Sequence, residues 1–444
     1  MFNRILLPSL IVGMAIVASA REETPPLPTA LDIAGAVRLA HTHNPALNES
    51  RERLVEQDGL LLSTESSRKP FIDGFGLYQV EDENRIGSFG GGGDADEAYW
   101  RAGVQLVQPL YSGGLLNATV RSRRFQSQAL EASVEEIRHR VMTQTHRLFY
   151  AALLAREVVE VRKEAIELLE KQLELARNRF EAGAGPRFDV LQAEVRLANA
   201  RPTLIRAVNL YRIAIEELRT ILGLPYAPGQ SPADIHLAGS LEREMAFPDL
   251  AEALAEAREN RPDLEALARQ RDAAEQDIQR SRAQRAPRIN FFANYSMEND
   301  RYSETSERLD GWQAGVEARL SLWEGGRIRG ETAQAQSRFQ QLHYRQDAAH
   351  LRVELEVRQA WSRAEEAREI LDATNLVITQ AEEALRLAEN RYAVGSLTQL
   401  DVLTSQLELT QARVEQLTAQ HDFAIAVIEL EAAMGRLPGQ QWID

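Results

Sequence analysis

Residues 312–326 read Trp312-Gln313-Ala314-Gly315-Val316-Glu317-Ala318-Arg319-Leu320-Ser321-Leu322-Trp323-Glu324-Gly325-Gly326, and the 66 residues that follow, 327–392, hold no proline and one glycine, Gly330. The first segment alternates. Trp312, Ala314, Val316, Ala318, Leu320 and Leu322 fall on one side; Gln313, Gly315, Glu317, Arg319 and Ser321 fall on the other. Period two predicts a strand with one apolar face. The second segment has no breaker beyond its first turn and predicts a single helix of about 100 Å.

The same junction occurs earlier in the chain. Trp100, Ala102, Val104 and Leu106 repeat the alternation, Tyr111-Ser112-Gly113-Gly114 answers Trp323-Glu324-Gly325-Gly326, and residues 115–180 are again 66 residues, here without any proline or glycine. The offset of 212 then holds for Arg179-Phe180 with Arg391-Tyr392, Asp189-Val190-Leu191 with Asp401-Val402-Leu403, and Gly223 with Gly435. Upstream, Asn44-Pro45-Ala46-Leu47 answers Arg261-Pro262-Asp263-Leu264, and Arg68-Lys69-Pro70 answers Arg285-Ala286-Pro287, at an offset of 217. The five-residue difference is confined to one loop, so the chain is two copies of one structural unit.

Each copy predicts a first helix, over 31–67 with Thr29 as cap and over 248–284 with Asp249 as cap, stopping near Pro70 or Pro287. A hairpin follows at about 71–110 or 288–323, then a long helix over 115–180 or 327–392, then a return helix over 186–222 or 398–434. The first repeat is thus 21–225 and the second 248–438. The Pro- and Gly-rich segment 226–247 is expected to link them around an equator, and 439–444 to be a tail. Pro202 falls inside a return helix and is expected to kink it.

Composition narrows the function classes. Hydrophobic residues make up 44% and charged ones 26%, an ordered chain but not a bundle of apolar membrane helices. A net charge of −15 argues against nucleic acid as a partner, since phosphate binding needs a dense basic surface. The absence of cysteine excludes disulfides, thiolate metal sites and a lipidated N-terminal Cys. Residues 1–20 carry Arg4, an apolar run over 5–17 and Ala18-Ser19-Ala20, the pattern of a cleaved secretory signal. Beyond Ala20 no stretch is apolar enough for a spanning helix, so entry into a membrane would require β-strands.

The strands fit that requirement. Ile72, Tyr78, Trp100, Val104, Ile289, Phe291, Tyr295, Trp312 and Val316 are expected to face lipid, with polar residues alternating inward and aromatics near the ends. A soluble half-buried sheet alternates identically; the 100 Å struts beside it favour the barrel. Four strands cannot close in lipid, where at least eight are needed. Two chains would close eight strands with a filled interior, whereas three would close twelve and leave a conduit, which favours a trimer.

The helices agree with a hollow assembly. Ala360, Ala364, Ala367, Leu371, Thr374, Ile378, Ala381, Leu385, Ala388 and Tyr392 keep a 4-3-4-3 spacing, a coiled-coil seam with small residues. Leu204, Val208, Tyr211, Ile215, Leu218 and Leu222, and Leu400, Leu403, Leu407, Thr410, Val414 and Leu417, are the expected seams of the return helices. Twelve such staves spaced about 10 Å apart would enclose a space about 28 Å wide. An antiparallel coiled-coil rod without a pore, an envelope scaffold, is the competing architecture; it leaves the hairpins unexplained.

The double repeat, the aromatic-x-Gly-Gly hairpin endings, the segments Arg179-Phe180-Glu181-Ala182-Gly183 and Arg391-Tyr392-Ala393-Val394-Gly395, and the Leu-Gly-Leu-Pro and Met-Gly-Arg-Leu-Pro endings together resemble the TolC-type outer-membrane efflux proteins. The resemblance spans about 31–438 and implies a trimeric channel-tunnel. It comprises an outer-membrane barrel, a helical periplasmic tunnel, and a closable tip meeting a periplasmic adaptor from an inner-membrane pump. It implies a constriction at Asp189, Asp401, Tyr392 and Thr404, with Asp189 accepting a hydrogen bond from Tyr392. It also implies an adaptor contact at Gly183, Ala184, Val394, Gly395, Ser396 and Leu397. Leu397 stands where the family often has arginine, and Thr404 where a second carboxylate is common, so closure is expected to be held differently. Three carboxylates about 6 Å apart would repel by about 3 kcal/mol per pair at an effective dielectric of 20, and so would attract cations or hold a proton.

Catalysis and cofactors find no support. His139/His146 and His343/His350 are spaced i,i+7 rather than the i,i+4 of a helical zinc site, and are expected to be solvated or lumen-facing. Asp94, Asp96 and Glu97 lack a calcium loop's full ligand spacing and read as a solvated acidic loop. No enzyme motif is present.

Overall fold

The computed structural model describes residues 27–80, 98–242, 246–299 and 308–438. The signal segment 1–20, the glycine run Gly90 to Gly93 with Asp94, Asp96 and Glu97, most of the loop 298–310, and the tail 439–444 lie outside the described residues. In chain order the elements are β1 (Ala30–Leu31), α1 (Ile33–His43), α2 (Pro45–Ser66), β2 (Phe71–Val80), β3 (Ala98–Tyr111), α3 (Leu115–Glu181) and α4 (Arg187–Leu222). Then come β4 (His236–Leu237), α5 (Leu250–Asn260), α6 (Pro262–Ala283), β5 (Arg288–Asn299), β6 (Arg308–Arg319), α7 (Arg327–Ala393) and α8 (Gln399–Ala433).

Each expected first helix is in fact two. Pro45 and Pro262 open α2 and α6, and proline pushes the residue before it out of helical backbone: ψ is 123° at Asn44 and 118° at Arg261. Nor does Thr29 cap the first helix. Asp32 does, its carboxylate accepting from the Gly35 N–H at 2.8 Å, while the Thr29 carbonyl accepts from the His236 N–H at 2.7 Å beside the small β1–β4 pairing.

These breaks explain the Gly near the end of each repeat. Gly223 (φ 70°) and Gly435 (φ 81°) follow α4 and α8 and lie against the two joints. A Cβ on Gly223 would sit 2.5 Å from the His43 carbonyl oxygen, and one on Gly435 2.8 Å from the Asn260 carbonyl. Only glycine meets both the positive φ and the close approach. Across the joint, the Asn44 amide donates to the Ile221 carbonyl at 2.7 Å in the first repeat. In the second, Arg261 reaches the Ala433 carbonyl at 3.4 Å and pairs with Asp263 at 2.9 Å and Glu356 at 2.6 Å.

The four long strands form one antiparallel sheet in the order β2-β3-β5-β6. Pro109 has no N–H to donate, and the β3–β5 register shifts immediately after it, between Pro109 and Tyr111. Strand β6 stops at Arg319, so Leu320 and Leu322, expected on its apolar side, lie beyond it and are exposed. In the second repeat the chain leaves the sheet earlier than the alternation implied.

Two tiers of helices continue below the sheet. Nearer the strands α3 packs on α2 and α6, and α6 on α7; farther away α3 packs on α4 and α8, and α8 on α7. Both long helices run through both tiers, giving stave orders α2-α3-α6-α7 and α4-α3-α8-α7. The main core sits where the tiers meet, with Val37, Met142, Phe149, Leu153, Ile215, Leu218 and Leu222 packed on Ile235, Leu237 and Leu241 of the inter-repeat segment.

His146 is inside this core, 3% exposed, its Nδ1 2.9 Å from the Met142 carbonyl. It is therefore not solvated as expected, because the inter-repeat segment, α1 and α4 enclose α3 at this level. Burial also lowers the pKa of His139 on the same helix. His343 and His350 are exposed.

The alanine seam of α7 is real: Ala360, Ala364, Ala367, Leu385 and Ala388 are buried and no other member is exposed. In α8 the buried stripe is Val402, Leu403, Gln406, Leu409 and Ala412, while Leu400 and Leu407 of the expected seam are exposed. Helix α8 is flanked by α7 and α3, so it buries a broader arc than a single heptad stripe describes. Helix α4 runs through Pro202 without interruption.

Candidate functional site

Two surfaces carry the expected functional residues: the outer face of the sheet, and the tip where the long helices reverse.

On the sheet, register decides which side chains share a face. Ile72 is opposite Leu106, Tyr78 opposite Trp100, Val104 opposite both Gly74 and Tyr295, Phe291 opposite Val316, and Tyr295 opposite Trp312. All nine residues expected to meet lipid thus lie on one face. None is buried, and Trp312 is 80% exposed. The other face is polar toward its far end, where Tyr99 donates to Glu298 at 2.6 Å and Arg101 lies 3.6 Å from the same carboxylate. It also repeats one packing device. Phe75 lies over Gly103 and Phe292 over Gly315, and a Cβ on either glycine would come within 2.9 Å of the ring. The paired Phe and Gly are equivalent between repeats, and the missing side chain lets the ring lie flat on the strand. Among the described residues, β2 and β6 have no partner on their outer edges.

At the tip both long helices end identically. The Ala184 N–H donates to the Arg179 carbonyl at 2.8 Å and the Gly183 N–H to Phe180 at 3.0 Å. The corresponding bonds from Ser396 to Arg391 and from Gly395 to Tyr392 are 2.9 and 3.0 Å. Gly183 and Gly395, at φ 72° and 77°, make these turns possible; a Cβ at either would meet nothing, so backbone conformation alone requires glycine there. Gly183, Ala184, Val394, Gly395 and Ser396 form an exposed knuckle. Leu397 instead packs on the Leu385, Ala388, Val402 and Leu409 cluster of its own hairpin.

The two hairpins meet at a cleft of about 510 Å³ lined by Arg179, Asp189, Tyr392, Leu397 and Thr398. The structure records no hydrogen bond between Asp189 and Tyr392. The Arg179 guanidinium lies 4.7 Å from the Tyr392 ring centroid, joining the α3–α4 hairpin to the α7–α8 hairpin by a cation–π contact. Asp401 is bound to its own helix. Its Oδ2 accepts from the Thr398 hydroxyl at 2.6 Å and the Thr398 N–H at 2.8 Å, completing a capping box. Those bonds hold its carboxyl below the usual carboxylate range. The Thr404 hydroxyl donates to the Leu400 carbonyl at 2.8 Å.

Two features escaped the sequence reading. Thr398-x-x-Asp401 is a capping-box pattern legible in advance. Arg179 was visible as half of the recurring Arg-aromatic pair ending each long helix, but its partner comes from the other copy of the pair.

Residues 61–224 and 253–436 match the family described as outer membrane efflux protein. The chain belongs to that family. It is 25% identical over 443 residues to the outer membrane efflux protein BepC of Brucella suis, covering 97% of this chain and 91% of that one. It is 25% identical over 361 residues to the alkaline protease secretion protein AprF of Pseudomonas aeruginosa, covering 78% and 71%. The solved Campylobacter jejuni CmeC outer membrane channel superposes with a TM-score of 0.76 at 17% identity, covering 91% of this chain and 85% of that one, a likeness of fold. This efflux-family chain is an outer-membrane exit channel with a large periplasmic part. The family is one of transport proteins rather than enzymes.

Proposed function

We propose that three copies share one twelve-stranded barrel and one helical tunnel, which passively conducts cargo handed over by an inner-membrane pump through a periplasmic adaptor. The observation that carries this reading is the four-stranded sheet with one apolar exposed face and, among the described residues, two unpaired edges. Lipid tolerates neither an open edge nor an unpaired ladder, so the edges must be closed by further copies. The outer staves need covering too. Helix α4 exposes Phe188, Leu191, Val195, Ile205 and Leu210, and α7 exposes Leu351, Leu355, Ile370 and Leu376. Apolar surface on both flanks fits side-by-side association. A scaffold without a pore would leave Trp312 and its neighbours in water.

The knuckle of Gly183, Ala184, Val394, Gly395 and Ser396, with Leu397 behind it, is the adaptor contact, and Asp189, Asp401, Tyr392 and Thr404 form the constriction. With Oδ1 left open by the capping box, three copies would form a ring of carboxylates that attracts cations or holds a proton. One relative is named for efflux and another for protease secretion; a passive tube serves either, with selection left to the pump. The test is single-channel recording of the purified protein in planar bilayers. Asp401→Asn, which removes the charge and keeps a side chain to cap the helix, raises conductance and weakens block by divalent cations. Unchanged values would remove Asp401 from the gate, and absence of any conductance would refute the channel reading.

A further inference from the structure

Above the tip, α3, α4 and α8 enclose a cavity of about 170 Å³ lined by apolar Leu169, Leu403 and Leu407 together with Arg162, Arg196 and Gln406. Gln406 is 4% exposed, and neither its amide nitrogen nor its oxygen has a hydrogen-bond partner. A buried amide with both ends unmet is costly unless something in the cavity meets it. The two arginines are also unmatched. Nearby Lys163, Arg177, Arg201 and Arg413 pair with Glu160, Glu194, Glu170 and Glu164, whereas among the described residues Arg162 and Arg196 have no carboxylate within ion-pair distance.

The internal repeat supplies a control. At the constant offset of 212, Arg162 corresponds to Thr374, Arg196 to Glu408, and Gln406 to Glu194. The apolar positions Leu403 and Leu407 correspond to Leu191 and Val195 and stay apolar. The equivalent positions, which lie on α7, α8 and α4, thus stay apolar where the groove is apolar, with Ala381 answering Leu169, but carry no positive charge. Packing alone would not require that difference.

We propose that this cavity binds a small anionic amphiphile, an aromatic monocarboxylate in chemical class. Its carboxylate would be held by the guanidinium groups of Arg162 and Arg196, its ring would lie on the leucines, and Gln406 would complete the hydrogen bonding. Guanidinium matches carboxylate geometry through paired N–H donors. The volume is well below the roughly 300–1,000 Å³ of pockets for drug-sized ligands, which limits the occupant to about one ring. The inference goes beyond the channel reading and needs only the packing of these three helices.

The test is titration calorimetry of the full-length protein in lipid nanodiscs, with empty nanodiscs as reference and benzoate, acetate and benzylammonium as probes. Benzoate binds saturably at one site per chain, and acetate and benzylammonium bind at least about tenfold more weakly, the loss expected from one charge-assisted contact or the apolar body. Arg162→Ala with Arg196→Ala weakens benzoate by about tenfold or more, and the double Lys variant recovers part of it. Gln406→Leu weakens it several-fold with circular dichroism unchanged. Absence of saturable binding at millimolar benzoate, equal binding of benzylammonium, or indifference to the arginine substitutions would overturn the assignment.

Discussion

Replacing Arg179 by alanine removes the cation–π contact between the hairpins while leaving both helix ends capped by their backbone bonds. At 4.7 Å, with both partners half-buried, such a contact is worth about 0.5–1 kcal/mol. In the proposed trimer three of them amount to about 1.5–3 kcal/mol, which at about 1.4 kcal/mol per tenfold would shift the closed-to-open ratio of the proposed gate roughly 10- to 100-fold toward open. Single-channel recording in planar bilayers reads this directly as the fraction of time spent in the high-conductance state. The informative companion is Tyr392→Phe. It keeps the ring under Arg179 and loses the hydroxyl, so a stack-held tip changes little, whereas a tip held by a hydroxyl donated to Asp189 opens as far as in Arg179→Ala. Equal opening by the two variants would refute the stack. No opening by either would show that the hairpins are not held together at this point.

Other substitutions test the frame. Gly113→Ala and Gly325→Ala change equivalent strand-to-helix junctions at φ 61° and 63°, and each carries about 1–2 kcal/mol of left-handed backbone cost. At Gly113 alone the new Cβ falls 2.0 Å from the Ala286 Cβ, so about 1–3 kcal/mol of overpacking is added. Denaturant titration should rank Gly113→Ala clearly below Gly325→Ala, and equal values would contradict the asymmetry. Asp263 titrates under opposed influences: burial raises its pKa, but the hydrogen bond and charge of Arg261 outweigh this and hold it below the usual carboxylate range. A depressed folded-state pKa contributes stability above the unfolded value of about 3.9, lost as pH falls through the folded one. Asp263→Asn should therefore lower stability at pH 7 and flatten its fall below about pH 4; an unchanged acid limb would rule out the ion pair as a source of acid lability.

Much of this fold was legible because its signals are long. Sixty-six residues almost free of breakers specify a helix whatever surrounds them, and strand alternation assigned the nine residues expected to meet lipid to one common face because period two leaves no choice once register is set. What failed was local or depended on neighbours. Pro45 and Pro262 were read only as repeat markers inside one continuous helix, when each starts a new helix and breaks the one before it. Leu407 fits a heptad, but α8 is wedged between two helices and buries a different arc. His146 looked like an ordinary polar residue on a long helix, and it is buried only because the inter-repeat segment, α1 and α4 pack around α3 at this level. At the tip, the positions of Asp189 and Asp401 followed from the repeat. The turn of Asp401 toward Thr398 was legible in the capping-box spacing and went unread, whereas the direction of Arg179 toward Tyr392 required side-chain geometry that neither spacing nor resemblance supplies.

Cryo-electron microscopy of the particle extracted into nanodiscs tests the central claim most directly. The account predicts three chains around an open axis, with β2 of each sheet hydrogen-bonded to β6 of the next to close twelve strands. A different number of chains, or density filling the axis along its whole length, would contradict it.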